Sequence, residues 1–117
     1  MERLRAAGAE LAAMEREVAE LLSRFEASEH DLGGGEARAA SSSNAVLTKN
    51  RLAVLAGDLE KLQSQRIDGV DVSALTAAGQ DEARAERRDL NRRADALHES
   101  AVELHRRCLE RIARANM

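Results

Sequence analysis

The chain contains no proline, tryptophan or tyrosine, one phenylalanine and one cysteine among its 117 residues. β-Sandwiches and β-barrels depend on aromatic and β-branched residues with frequent turn residues, so this composition argues against both. A single cysteine cannot form an intrachain disulfide, which is typical of a reducing compartment. No apolar run approaches the length of a transmembrane helix or of the apolar centre of a secretory signal. We therefore expect a soluble, intracellular, cytoplasmic protein without membrane insertion.

Helix-forming residues dominate the composition. Alanine, arginine, leucine and glutamate account for 68 of the 117 residues, and all four favour helices. Such a composition is typical of long helices or coiled coils. The formal net charge is −3, and acidic residues alternate with basic ones. No basic patch therefore predicts binding to nucleic acid or to anionic lipid.

Large apolar side chains are few. Leucine, isoleucine, valine and phenylalanine together number 24, whereas alanine alone numbers 23. Ordering the backbone costs about 1–2 kcal/mol per residue, and burying one large apolar side chain contributes about 1.5–3 kcal/mol. A lone monomer would be marginally stable, so we hypothesise that burial against a second chain completes the fold.

A heptad repeat runs through the first 32 residues. Apolar residues recur at every seventh position, and a second set follows three residues later: Leu4, Leu11, Val18, Phe25 and Leu32, with Ala7, Met14, Leu21 and Ser28. This a/d pattern predicts a helix over about 2–31. The triple glycine at 33–35 ends it as a hinge or chain reversal, since a phosphate-binding loop would need a preceding strand and a following GK[ST].

The second helix is expected over about 44–66, after a flexible connector of small residues at 33–43. Ser43 or Asn44 is a candidate N-cap. The heptad continues at Ala45, Thr48, Leu52, Leu55, Leu59 and Leu62. Gly57 lies in the helix interior, where glycine costs about 1 kcal/mol relative to alanine. It indicates either a close approach of another helix or a tolerated exposed glycine.

The third helix is expected over about 73–115. A turn over 66–72 precedes it, since Asp68-Gly69 is typical of tight turns. Leucines recur at heptad spacing, each followed four residues later by a small residue: Leu90, Leu97 and Leu104, with Ala94, Ala101 and Cys108. A further row of residues widens the apolar face in the last part of this helix.

These segments predict an all-α fold, an elongated antiparallel three-helix bundle with coiled-coil packing, formed by a single helical domain over 1–117. The predicted core or partner-binding seams consist of Leu4, Leu11, Met14, Val18, Leu21, Phe25, Leu52, Leu55, Leu59, Leu62, Leu90, Leu97 and Leu104. Three further residues are expected to extend toward a partner: Val102, Leu109 and Ile112.

No arrangement of residues predicts catalysis. His98 and His105 are seven residues apart on one helix, too far to share a metal ion, and His105 with Cys108 gives only half of a zinc site. Cys108 falls at a core position, where a small buried hydrophobe is expected, although neighbouring arginines could instead make it a reactive thiolate. We therefore expect no enzyme activity, no metal, no cofactor and no small-molecule substrate.

The densest cluster of charge lies early in the third helix, at Arg84, Arg87, Arg88, Arg92 and Arg93. Acidic residues alternate with these arginines, which is typical of a solvated face that pairs with itself. A charged docking face is the functional alternative. The segment RRDLNRRADAL over 87–97 resembles the final helix of BAG-type co-chaperones, in which paired basic residues dock on the ATPase domain of a heat-shock chaperone.

BAG domains are antiparallel three-helix bundles, so the resemblance implies the same architecture. It covers about a dozen residues, and the chain departs from the pattern at Asp95, where glutamine is usual, and at Leu62-Gln63, where Leu-Asp is usual. The stretches VDVSAL and ERRDLNRRADAL are also similar to the helical arm of seryl-tRNA synthetases, whose catalytic domain has no counterpart in these residues.

The function expected from these patterns is a non-enzymatic protein–protein interaction module. It would be a small coiled-coil subunit or adaptor whose seams pair with partner helices, in a self-assembly or a hetero-oligomer. The alternative is a small helical chaperone or co-chaperone that docks through the face of Arg84–Arg93.

Overall fold

The computed structural model describes the backbone of residues 2–29, 35–73 and 75–115, and their side chains except at 29 and 35–42. It contains three α-helices, the second of which continues into a π-helical segment: α1 (Glu2–Glu29), α2 (Gly35–Lys61), the π segment (Leu62–Ile67) and α3 (Ala77–Ala115). The described ranges contain no strand. The bundle measures 63 × 18 × 15 Å. The predicted all-α, elongated antiparallel three-helix bundle is confirmed.

α1 and α3 run parallel, and α2 runs antiparallel to both. Where α1 contacts α3, the residue numbers of both helices increase in the same direction, as in the pairs Glu15 with Arg93 and Phe25 with Arg111. Contacting positions on α1 and the α2–π helix run in opposite directions, as in the pairs Glu17 with Arg51 and Glu10 with Arg66. Glutamates of α1 thus pair with arginines of both neighbouring helices. Such exposed pairs help to set orientation more than they add stability.

The heptad stripes of the three helices meet in one core. The structure buries most of the predicted seam: Leu4, Leu11, Val18, Leu21, Phe25, Leu52, Leu55, Leu59, Leu62, Leu90, Leu97 and Leu104. Met14 is half-buried and packs against them. Alanines fill the remaining space between the leucines, at Ala7, Ala45, Ala83, Ala94 and Ala101. The small side chains let the helices approach closely, as at Gly8, where an added Cβ would lie 3.3 Å from Leu90 Cδ2.

The second helix begins earlier than predicted. It starts at Gly35, so residues 35–43 of the expected flexible connector are helical, whereas 33–34 lie outside the described residues. The capping tendency of Ser43 and Asn44 favours a later start, but extending an existing helix adds one hydrogen bond for each residue that is ordered. Serine and asparagine cost at most about 0.7 kcal/mol each in a helix interior. Residues 30 and 31 of the predicted first helix also lie outside the described residues.

The π segment at the end of α2 turns Ile67 toward the core. Ile67 follows Leu62 by five residues, and a π-helix brings residues five apart onto one face. Both side chains are buried, at 0% and 2% exposed. The N–H of Asp68 donates to the carbonyl of Gln63 over 2.8 Å, which closes the wide turn. An α-helical continuation would instead turn Arg66 toward the core.

The third helix begins later in the sequence than predicted, because a loop follows the π segment. Residues 66 and 67 of the predicted turn belong to the π segment, and α3 begins at Ala77 rather than at 73. The hydroxyl of Thr76 accepts the N–H of Gly79 over 3.1 Å, so Thr76 caps α3. Asp71 accepts the N–H of Ser73 over 2.9 Å and closes a local turn instead of capping the helix.

The far end of α3 is tied to the end of α1. Arg107 and Arg111 lie over the ring of Phe25, at 4.9 Å and 3.5 Å from its centroid. Arg111 also donates to the carbonyl of Phe25 over 3.2 Å and to the hydroxyl of Ser28 over 2.7 Å. Ile112 packs against the core. α3 is therefore covered by the bundle as far as its last turn.

Candidate protein-interaction surface

One exposed stripe of α2 is free of charge over four turns. Seven exposed residues form what we call the α2 face: Ser43, Val46, Leu47, Asn50, Ala53, Val54 and Gly57. None of them is charged, although charged residues make up 33% of the chain. Leu47 is 67% exposed and Val54 is 51% exposed. Single exposed apolar residues are ordinary, but an uncharged stripe on one helix of a highly charged chain is typical of a binding surface.

The α2 face repeats the spacing of the buried seam. Leu47, Asn50, Val54 and Gly57 follow one another at intervals of three and four residues. The buried residues of α2, at Ala45, Thr48, Leu52, Leu55 and Leu59, have the same intervals. α2 therefore carries two heptad stripes on different sides, of which one is covered by α1 and α3 and the other is exposed.

Gly57 lies in open space on this face. A Cβ added at Gly57 would meet no atom of the described residues within 4 Å. Of the two interpretations of this glycine, close packing within the chain does not apply. A glycine in an exposed helix interior weakens the helix, and it leaves a depression between the side chains before and after it that another helix can fill.

Two charged residues, Arg51 and Asp58, border the α2 face on one edge. Arg51 binds Glu17 of α1 through two nitrogens: Nη2 donates to Oε1 over 2.8 Å, and Nε donates to Oε2. This hydrogen bonding by Arg51 holds the pKa of the Glu17 carboxyl below its usual value, against a smaller opposing effect of burial. The Nη1 of Arg51 has no partner among the described residues, and Asp58 is exposed seven residues later.

α3 presents a smaller apolar pair. Val102 is 54% exposed and Leu109 is 46% exposed, two turns apart on the same side of the helix. Gln63 donates to Asp95 over 3.0 Å, which places Asp95 on the edge of α3 beside the α2–π helix. Since Val102 and Leu109 follow Asp95 at steps of seven, they lie on that edge too. The third residue expected to extend toward a partner, Ile112, is instead half-buried against the core.

The five arginines of the predicted docking face do not share one face. Arg84, Arg88 and Arg92 are exposed, and Arg84 pairs with Asp81 at 3.4 Å. Arg87 and Arg93 are half-buried and are used within the chain. Helical spacing puts these two on opposite flanks of the buried stripe, because they are six residues apart.

Arg87 and Arg93 hold the bundle together. Arg93 binds Glu15 of α1 at 2.5 Å. Arg87 donates through Nη2 to the carbonyl of Val70 in the loop before α3, and its buried Nε has no partner in the described structure. A guanidinium placed in this way stabilises the loop and is not available to a docking partner. Of the five arginines, only Arg84, Arg88 and Arg92 are therefore exposed, and their docking role stays a prediction.

The described residues form no cluster of three or more histidine, cysteine, aspartate or glutamate side chains that could hold a metal ion. Cys108 is fully buried, and this burial raises the pKa of its thiol despite the nearby Arg111 and Arg107. Because the thiolate is the reactive form, Cys108 is a packing residue in the core.

Two open cavities lie at the surface of the bundle. One, of about 270 Å³, is lined by Arg3, Arg66 and the loop residues Gly69 and Val70. The other, of about 340 Å³, lies between α1 and α3 and has Val18, Leu22 and Leu104 in its lining. The polar residues Glu99, Ser100, Glu103 and Arg107 complete the lining of the second cavity, and both cavities are open to solvent.

Among the described residues, no helix has the length and apolar character that crossing a membrane requires. Comparison with known proteins adds no assignment: no protein-family model, no curated protein and no solved structure matches the chain significantly. The surface chemistry of the bundle is therefore the basis for any functional conclusion.

Sequence reasoning assigned the heptad stripe of α2 to the seam and gave its other side no role. The α2 face was nevertheless present in the sequence, as uncharged residues at intervals of three and four from 43 to 57. A second stripe of this kind becomes visible only when the first one has been shown to be buried. Leu47 and Val54 are thus the strongest candidates for a binding surface, and neither of them belongs to the predicted seams.

Proposed function

We propose that the chain is a non-enzymatic protein–protein interaction module, a small helical subunit or adaptor that binds a partner helix along the α2 face. The single observation that carries this proposal is the absence of charge among the seven exposed residues of that face. The bundle positions the face, because the core fixes α2 between α1 and α3 and turns its second stripe outward.

Burial of the α2 face supplies the driving force for binding. Apolar surface contributes about 25 cal/mol for each Å² removed from water, and Leu47 and Val54 are its most exposed large side chains. Since no charged residue on the face must be desolvated, the usual penalty for burying an ion does not arise. The 3–4 spacing suits a helix as the partner, because helices pack in this way along a heptad stripe.

Paired substitutions on two helices test the proposal. The variant L47Q/V54Q makes the α2 face polar, and the matched control V102Q/L109Q makes the same kind of change on α3. Each tagged protein and the wild type are used to capture partners from cells, and circular dichroism checks that helix content is unchanged. We expect the wild type and the control to retain the same partner and L47Q/V54Q to lose it.

The opposite pattern contradicts the proposal. If L47Q/V54Q retains every partner and V102Q/L109Q loses one, the binding surface lies on α3 at Val102 and Leu109. If neither variant loses a partner that the wild type retains, apolar contact through these exposed residues is not the basis of binding.

A co-chaperone that docks on a chaperone ATPase domain is the second candidate. The three-helix architecture and the exposed Arg88 and Arg92 favour it, whereas the use of Arg87 and Arg93 within the bundle weakens it. The variant R88E/R92E separates the two functions, since it should abolish docking of a co-chaperone and leave binding through the α2 face intact.

A further inference from the structure

We infer that the occupant of the α2 face is a second copy of this chain, packed antiparallel along α2 about a two-fold axis. This inference rests on the proposed function, since it names the partner of the same surface. Three features of the face carry it: its charges, its shape and the small core of the single chain.

The charges at the edge of the face complement themselves. Arg51 and Asp58 lie seven residues apart on one edge and have opposite signs. In an antiparallel pair about a two-fold axis near residues 54 and 55, Arg51 of each copy faces Asp58 of the other, so two ion pairs form. In a parallel pair the two copies of this edge lie on opposite sides of the contact, so Arg51 and Asp58 of one copy do not meet those of the other. Two-fold contacts of this kind use the same patch on both subunits.

Arg51 is prepared for such a pair. Its Nε and Nη2 are used by Glu17, which fixes the guanidinium at the edge of the face. Its Nη1 has no hydrogen-bond partner among the described residues. Asp58 makes no hydrogen bond or salt bridge there, and its charge acts on Arg51 of its own chain only at longer range. Arginine has five N–H donors in a planar fork, so one guanidinium can bind two carboxylates.

The shape of the face also fits an antiparallel copy. Gly57 leaves open space on the helix surface, and the two-fold axis places Val54 of one copy beside Gly57 of the other, on both sides of the axis. Large and small residues then alternate across the contact, which is how helix interfaces interdigitate. A parallel copy would place Gly57 against Gly57 and leave a gap.

The composition indicates that the small core of a single chain would be stabilised by such a contact. Only 24 residues of the chain are leucine, isoleucine, valine or phenylalanine, and five large apolar side chains remain exposed in the described structure. Three of the five, Val46, Leu47 and Val54, lie on the α2 face. Self-association covers them and adds apolar burial to a small core.

Charge reversal tests the pairing at the level of single residues. In D58K, the lysine opposes Arg51 of the other copy. In E17R/R51E, the ion pair between α1 and α2 is kept with its signs exchanged, and the new glutamate opposes Asp58 of the other copy. The molar mass of each protein is measured by sedimentation equilibrium over a range of concentrations, with E82K on α3 as the control for the change of net charge.

We expect the wild type and E82K to form dimers of the 12.7 kDa chain. D58K and E17R/R51E should each dissociate about tenfold or more readily, because like charges oppose each other. An equimolar mixture of the two should restore the dimer, since each then supplies the charge that the other lacks. Circular dichroism checks that all variants are helical.

Three outcomes overturn the inference: a monomeric wild type, a D58K dimer as stable as the wild type, or a mixture that stays monomeric while both components are folded. If the wild type is monomeric but L47Q/V54Q still loses a different partner, self-association is wrong and the proposed function stands. If L47Q/V54Q loses neither self-association nor a partner, the proposed function itself is wrong.

Discussion

The guanidinium carbon of Arg111 lies 3.5 Å from the centroid of the Phe25 ring, where it joins the last turns of α3 and α1. The cation faces the π-electrons of the only aromatic residue of the chain, and the ring is 3% exposed. Such a contact contributes up to about 2 kcal/mol when it is desolvated. The pair holds the end of the bundle opposite to the π segment.

Replacing Arg111 with methionine should lower the free energy of unfolding by about 1–2 kcal/mol. Methionine keeps much of the length of the side chain but removes the charge over Phe25 and the hydrogen bonds to Phe25 and Ser28. Urea unfolding measures the change. The control is R114M, because the Arg114 side chain is 75% exposed. An equal effect of both substitutions would show that the contact with Phe25 contributes nothing.

Leucine-to-alanine substitutions distinguish the buried seam from the exposed stripe. L97A and L104A should each lower the free energy of unfolding by about 2–5 kcal/mol, because both side chains are buried. L109A removes the same atoms from a side chain that is 46% exposed and should change stability by less than about 1 kcal/mol. Thermal or urea unfolding compares the three variants. Similar losses in all three would contradict the observed positions of these leucines.

Replacing Gly57 with alanine should stabilise the isolated chain by about 1 kcal/mol. The added Cβ meets no atom within 4 Å in the part of the chain that the structure describes, and alanine is the better helix former. G8A is the control for space, since its Cβ would lie 3.3 Å from Leu90 Cδ2 and should gain less. Unfolding is measured at a protein concentration low enough to avoid association. A destabilised G57A would mean that this position is not open.

The same substitution should have the opposite effect on self-association. A methyl group at position 57 occupies the space that Val54 of a second copy is expected to fill, so G57A should weaken the dimer while it strengthens the helix. Sedimentation equilibrium of G57A beside the wild type measures this. An unchanged or tighter G57A dimer would rule out the close approach at Gly57.

The ion pair of Glu17 and Arg51 predicts a dependence of stability on pH. Hydrogen bonds from Arg51 lower the pKa of Glu17 in the folded state. The pair therefore stabilises the fold at pH values above the unfolded pKa of glutamate, and this contribution is lost as the pH falls through the lower, folded pKa. E17Q should melt at a lower temperature than the wild type near neutral pH and at the same temperature in strong acid.

Melting curves from neutral to acidic pH make this comparison, with the exposed E20Q as the control. A difference between E17Q and the wild type that stays constant at every pH would show that packing, and not the charge of Glu17, is responsible. Because the pair is exposed, the effect should also decrease at high salt concentration.

The thiol of Cys108 should resist alkylation in the folded chain. It is fully buried, and burial raises its pKa, so both access and the thiolate fraction are reduced. Mass spectrometry after treatment with iodoacetamide should show slow labelling in buffer and rapid labelling in denaturing urea. Equal rates in the two conditions would indicate that the core opens around Cys108.

The heptad pattern predicted the helices and their buried sides because leucine spacing and burial are directly coupled. Leu4, Leu11 and Val18 must share a stripe on any α-helix, and such a stripe of large apolar residues is the side that a helix bundle buries. The same reasoning failed at 35–43, where local capping by Ser43 and Asn44 was given more weight than continuation of the helix. Capping is a preference of about 1 kcal/mol, which the extension of a long helix can exceed.

The π segment could not be recognised from a pattern based on steps of three and four. Ile67 follows Leu62 by five residues, and the preference for burying Ile67 instead of Arg66 decides the geometry. The α2 face was missed for a different reason. A sequence shows two stripes on α2 without showing which one the rest of the chain covers, and only the packing of α1 and α3 against Leu52, Leu55 and Leu59 distinguishes them.

The parallel directions of α1 and α3 have a consequence for the separation of Glu2 and Ala115. With α2 antiparallel between them, Glu2 and Ala115 lie at opposite poles of a rod with a long axis of 63 Å. Groups attached at these two positions are therefore held apart by the length of the molecule, as by a rigid spacer. In a two-fold dimer through α2, each end of the dimer would carry Glu2 of one copy and Ala115 of the other. A group attached at either position would then be present at both ends of the dimer.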